Sequence, residues 1–200
     1  MAFDSEVEKF SYAIGLSLAS NLLQSQIKTV DYSALFKAIE DVMEGRMPEI
    51  QAHEANRVIE EFFTRQQARQ AAINAREGEA FLNGNAQAQG VVILKSGLQY
   101  KVLTEGNGHK PGPDDKVKCH YHGTLIDGTV FDSSVQRGQP AVFPVKGVIK
   151  GWVEALQLMG VGAKWRLFVP PHLAYGEHGT GSVIGPQSTL IFDVELIEIV

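Results

Sequence analysis

The chain has 200 residues, 44% of them hydrophobic and 20% charged, with a formal net charge of −5. Such a composition supports a folded core and excludes a disordered chain. With no Lys/Arg-rich run, it also argues against nucleic acid or a membrane surface as a partner. The single cysteine, Cys119, rules out an intrachain disulfide framework and a multi-cysteine zinc site.

The N-terminus reads MAFDSEVEKF, with acids where a secretory leader carries bases. The apolar stretch Ile14 to Leu23 is broken by serines, Gly15 and Asn21, and no run reaches the roughly 18 apolar residues of a membrane helix. The expectation is a soluble cytoplasmic protein. Composition changes near residue 90. Residues 1–90 hold 8 Lys/Arg against 13 Asp/Glu, with 5 of the 20 glycines and 1 of the 8 prolines; residues 91–200 hold 10 of each charge. Helix interiors avoid Gly and Pro, whereas tightly turned sheets use them. A helical first half and a β-rich second half follow.

The first helix is expected over Asp4 to Gln24, with Val7, Phe10, Ile14, Leu18 and Leu22 on one stripe. Leu16 and Leu23 widen that stripe, and Gly15 with Ala19 permits close backbone approach. A second helix runs from an Asp31 N-cap to Glu44, stopped by Gly45. A third starts near Pro48 with Val58, Ile59, Phe62 and Phe63 on its apolar face. Beyond Phe63 the run TRQQARQAAINAREGEA favours helix but has almost no apolar stripe, which suggests a spacer through solvent. Continued to Leu82, this helix would span about 50 Å, with Gly78 and Gly84 weakening its far end. A thin core of roughly 60 residues is marginal alone, and the first helix is apolar over more than one face. Pairing with a second copy through residues 1–60 is the expected remedy; a single-chain bundle packed on the β domain is the alternative.

In the second half, Gly97 to Leu103 and Lys116 to Gly123 read as strands, and Asp127-Gly128 marks a hairpin turn before Val130-Phe131. Val148 to Met159 has the pattern of a short helix. Ala163 to Val169 is a strand stopped by Pro170-Pro171, and Leu190 to Val200 alternates as a last strand. The fold class is α+β: a twisted antiparallel sheet wrapped on one short helix, behind an all-helical N-terminal domain and a long connecting helix.

The runs VKCHYHGTLIDGTVFDSS, VIKGWVEALQLMGVGAKWRLFVPPHLAYG and STLIFDVELIEI resemble the FKBP-type peptidyl-prolyl isomerases. YAIGLSLASNL, GEAFLNGN and GVVILKSGLQYKVL resemble the N-terminal half and junction of the Mip-like bacterial members, which are homodimers. The resemblance implies a helical dimerisation domain over 1–47, a linker helix and junction over 48–90, and an isomerase domain over 91–200. It implies a pocket with Trp152 as floor, Tyr121, Phe131, Phe143 and Phe192 as walls, and Val148 and Ile149 alongside. Tyr175 would offer its hydroxyl to a substrate carbonyl, Asp132 would be the rim carboxylate, and Arg137 would pair with it or with Tyr121. Val183 and Ile184 would cover the proline side. The implied partners are unfolded proline-containing polypeptides, with the macrolides tacrolimus and rapamycin as inhibitors. No metal or cofactor is called for. Ala141, where many members have an aromatic, Thr180, where some have histidine, and a short segment between Phe143 and Val148 depart from the common pattern.

The chemistry suits such a cup. Amide resonance sets a barrier of about 20 kcal/mol to Xaa-Pro rotation, and uncatalysed exchange takes roughly tens to hundreds of seconds. The twisted amide of the transition state is less charge-separated than the planar one, so a dry, shaped site favours it without an acid, base or nucleophile. Read without the resemblance, alternating aromatics on strands are more often plain core. His120 and His122 share a strand face but lack a third ligand, and Cys119 reads as a small strand residue rather than a nucleophile. GNGHKPG is a turn and not a phosphate cradle, because no helix follows. Besides isomerisation, two readings stay open: a dimeric chaperone cleft that holds unfolded chains, and an adaptor with an inactive pocket.

Overall fold

The computed structural model describes residues 3–25, 27 and 29–200. The chain divides into two compact units, Met1–Ile59 and Glu60–Val200.

In the first unit, α1 covers Glu6–Gln24 and α2 covers Tyr32–Met43. Ser5 begins α1 with a reciprocal cap: its hydroxyl accepts from the Glu8 N–H, and the Glu8 carboxylate accepts from the Asp4 N–H at 2.7 Å. Asp31 caps α2 as the sequence predicts, accepting from the Ala34 N–H, and Gly45 ends it at φ +68°. The one buried side chain of α2 is a carboxylate. Asp41 takes Lys37 at 2.9 Å and Arg46 at 3.1 Å, while Val7, Phe10 and Phe36 stand 72%, 65% and 63% exposed. This inverts the usual arrangement of apolar inside and charged outside.

Helix α3 covers Ala52–Asn85. It starts four residues after Pro48, because its first bond is Ala55 N–H to Gln51 O, and Glu49 is turned to Lys37 at 2.9 Å. Its larger part, from Glu60, belongs to the second unit. The expected solvent spacer is instead docked there. Phe81 lies 5.9 Å from Phe168, and buried Gln99 donates to Leu82 O and accepts from Asn85. Gly78, expected to weaken the helix, is its buried point: a Cβ there would run into the Thr189 hydroxyl. Within the polar run itself, Asn74 reaches the sheet side, donating to Pro186 O and Ser188 Oγ, while residues 64–70 stay exposed.

The described strands are β1 (Val91–Ile93), β2 (Gln99–Thr104), β3 (Lys116–Leu125), β4 (Val130–Ser133), β5 (Ala141–Pro144), β6 (Lys164–Val169) and β7 (Leu190–Ile199). All pair antiparallel in the order β1-β2-β6-β7-β3-β4, and β5 joins the first half of β3. Short β1 and β5 lie beyond what the alternation pattern picks out. Helix α4 (Lys150–Leu156) lies on the sheet. Trp152, Ala155 and Leu156 pack with Val117, Cys119, Leu167, Val194 and Leu196 in one core. Burial of this kind stabilises by about 1.5–3 kcal/mol per large aliphatic side chain. Period-two alternation places Cys119 and Tyr121 inside and His120 and His122 on the other face.

Candidate active site

Three strands bring the aromatics together around one glycine. Gly123 on β3 pairs with Asp132 on β4 and with Phe192 on β7. A Cβ at Gly123 would sit 2.6 Å from the Phe131 ring and 3.0 Å from that of Phe192. The strand therefore needs glycine there so that both rings can close over it. The hairpin that returns β4 turns at Gly128, φ +87°, as Asp127-Gly128 predicts.

Helix α4 supplies the floor. Trp152 is 4% exposed and meets Tyr121, Phe143 and Phe192 edge-on, with centroids 5.5, 5.9 and 5.2 Å away at 81–84°. Phe131 meets Phe192 the same way at 5.4 Å. Edge-to-face aromatic pairs contribute about 0.5–1.5 kcal/mol each beyond area burial, so the rings hold one another in place. The cavity they bound is about 760 Å³. Every candidate residue except Arg137 lines it, together with Gly147, Thr180, Gly181 and Ser182. Gly147, Gly181 and Ser182 went unread because they offer space and backbone rather than a recognisable side chain. Ala141 is absent from the lining and pairs with Cys119 in the sheet.

A polar network closes one side. Tyr121 Oη donates to Asp132 Oδ2 at 2.5 Å, Arg137 Nη2 donates to Tyr121 Oη at 2.8 Å, and Arg137 Nη1 pairs with Asp132 Oδ1. The guanidinium also lies 5.7 Å from the Tyr121 ring centroid. Arg137 thus acts on the pocket through its two partners. Burial pushes the Asp132 carboxyl up, but hydrogen bonds from Tyr121 and Arg137 outweigh it, and the net shift is downward. Burial and then the neighbouring carboxylate raise Tyr121. Burial and then the Asp132 charge raise Tyr175.

The chain after Tyr175 forms a flap. Thr180 bridges to Ile184, its N–H donating to Ile184 O at 2.8 Å, and Gly179 takes φ +65° directly against that carbonyl. Val183 and Ile184 then face the cavity. The Ile149 N–H, ahead of α4, is engaged by no backbone acceptor among the described residues. His120 and His122 contact Ser134 and Ser133. Burial pushes the Cys119 thiol up to about 12, which removes it as a nucleophile.

A sheet wrapped on one helix, with an aromatic cup at its end, defines a known class. Residues 107–197 match the family described as FKBP-type peptidyl-prolyl cis-trans isomerase, and residues 7–102 match the domain amino terminal to it. The chain belongs to the FKBP-type peptidyl-prolyl cis-trans isomerases. Its relatives include the FKBP-type 22 kDa peptidyl-prolyl cis-trans isomerase of Escherichia coli, 46% identical over 98% of this chain and 97% of that protein. Outer membrane protein MIP of Legionella longbeachae is 42% identical over 98% of this chain and 86% of that protein. The crystal structure of FkpA from Escherichia coli superposes with a TM-score of 0.76 at 34% identity, covering 99% of this chain and 98% of that one.

These relatives correct one expectation. A cytoplasmic location does not stand, since a protein alike over nearly the whole chain is named for the outer membrane. Among the described residues no helix is long and apolar enough to cross a membrane, which bears on spanning and not on compartment.

Proposed function

We propose that the enzyme turns Xaa-Pro bonds of unfolded or flexible chains by holding a twisted amide in this pocket. The proline ring rests on Trp152, between Tyr121, Phe131, Phe143 and Phe192. Val148 and Ile149 border it, and Val183 and Ile184 cover it. Tyr175 and the Ile149 N–H donate to substrate carbonyls. Asp132, charged and pinned by Tyr121 and Arg137, faces the rotating amide. No bond to the protein forms. The transition state is favoured because the site replaces water around a less polar amide with fixed rings and few dipoles. The observation that carries this reading is the edge-to-face packing of three aromatics on a buried tryptophan, with one ion-paired carboxylate at the rim.

The functional division runs as a dimerisation segment over 1–47, a connecting helix and junction over 48–90, and the isomerase domain over 91–200. Two copies pair through residues 1–60. The exposed Val7, Phe10, Ile14, Leu16 and Phe36 of the first unit support that pairing, because a lone chain would leave this surface in water. Tacrolimus and rapamycin compete for the pocket. The test is cis-trans exchange of an Ala-Leu-Pro-Phe peptide, followed by proton exchange spectroscopy with and without rapamycin. Acceleration that rapamycin removes supports the site; a folded sample without acceleration overturns it. The same apolar surface favours a second reading, in which the paired chains hold unfolded clients and isomerisation is secondary. Trp152→Ala would then spare suppression of client aggregation while removing peptide turnover.

A further inference from the structure

We infer that the flap over the pocket is held in its closed shape by Asn74 of helix α3, a positioning residue for the isomerase reaction. This rests on the pocket being the isomerase site. The flap comes back to the sheet through Gly185, Pro186, Gln187 and Ser188. Asn74 Nδ2 donates to Pro186 O at 2.7 Å and to Ser188 Oγ at 3.3 Å. The Ser188 hydroxyl in turn donates to Gly185 O at 2.9 Å. Gln70 Nε2 donates to Asn74 Oδ1 at 2.8 Å, and a carbonyl such as Pro186 O accepts only a donor. The orientation of the Asn74 amide is therefore fixed from both ends.

The held segment contains the single non-glycine residue at positive φ among those described. Gln187 sits at φ +56°, and its N–H donates to Gly176 O at 2.8 Å, closing the loop that begins just past Tyr175. A non-glycine residue keeps such a conformation only where its surroundings over-determine it. Here both flanking residues are tied to Asn74. Gly185 lets the loop lie against the helix: a Cβ there would be 3.2 Å from Asn74 Nδ2. One turn further on, Gly78 meets Thr189. The same face of α3 thus grips residues 185–189, immediately after Val183 and Ile184, which line the cavity. A loosened grip should let the whole cavity-lining stretch Thr180 to Ile184 drift, so that the cover over the proline loosens and the residue before it is discriminated less.

Asn74→Asp isolates the grip. It keeps the size and the acceptor for Gln70 but removes both donated hydrogen bonds and sets a negative oxygen against Pro186 O. In the full chain, kcat and KM are measured for two peptides that differ only before proline, Leu-Pro and Ala-Pro. The expected result is a higher KM and a Leu-Pro to Ala-Pro ratio in kcat/KM that falls about three-fold or more, with faster amide hydrogen exchange over 180–188. A merely structural role would lower both peptides equally and raise exchange throughout. A folded Asn74→Asp with an unchanged ratio and unchanged exchange in 180–188 overturns the inference. Should Asn74→Asp not fold, Ser188→Ala, which removes one acceptor of the grip, decides by the same readouts. Asp132→Ala and Trp152→Ala run alongside. If they leave turnover intact, the pocket assignment itself fails; if they abolish it while Asn74→Asp changes nothing, only the grip does.

Discussion

Gly123→Ala adds one methyl group to the back of the pocket. Its Cβ would lie 2.6 Å from two carbons of the Phe131 ring and 3.0 Å from Phe192 Cε1. Carbon atoms rest at about 3.5–4.0 Å, so the Phe131 ring must retreat by about 1 Å. Phe131 and Phe192 pack edge-on at 5.4 Å, and Phe192 packs on Trp152 at 5.2 Å, which passes the displacement to the floor. Overpacking costs about 1–3 kcal/mol, offset by about 0.4–1 kcal/mol because alanine restricts the unfolded chain. The protein should stay folded, losing about 1–2 kcal/mol in urea unfolding. Catalysis should suffer more, since a shift of about 1 Å in a positioned group costs up to roughly 100-fold. Peptide exchange spectroscopy should give a kcat/KM roughly 10- to 100-fold below that of the parent. A folded Gly123→Ala within two-fold of the parent would refute the reasoning that these rings form the catalytic wall.

Asp132 titrates below the ordinary carboxylate range, so its contribution is complete above the unfolded value, near about 3.9, and is lost as pH falls through the folded value. Activity should be flat through neutrality and fall only in acid, and Arg137→Ala should move that acid limb to higher pH; an unmoved limb would contradict the pairing. Gly84→Ala, with open space around its Cβ, should raise the melting temperature through helix propensity of about 0.5–1 kcal/mol. Gly78→Ala gains the same propensity but should lower the melting temperature, because its Cβ meets Thr189. Phe10→Glu should leave peptide turnover intact and shift sedimentation from two chains to one; a parent protein that sediments as one chain at micromolar concentration would remove the proposed pairing.

Much of the fold is written in local pattern. Asp31, Gly45 and Asp127-Gly128 act through their own backbone geometry, so they are readable one at a time. The pocket residues are legible differently. Alternation says only that Tyr121 and Phe192 face inward, and it is the resemblance of whole runs that singles out a cup. What stayed hidden depends on contacts far apart in sequence. Gly123 looks like any strand glycine until Phe131 and Phe192 arrive from two other strands. Asn74 looks like one polar residue in a polar helix, and its partners lie 112 and 114 residues away.

The chain's two tryptophans are sorted into separate optical environments. Trp165 lies flat on Tyr100, with centroids 4.1 Å apart and an interplanar angle of 6°, away from the cavity. Trp152 forms the cavity floor, with its indole among three rings that a bound proline would touch. Occupancy of the pocket should therefore be written in the emission of one fluorophore against the constant background of the other. The protein carries its own titration signal, and replacing Trp165 with phenylalanine would leave that signal unmixed.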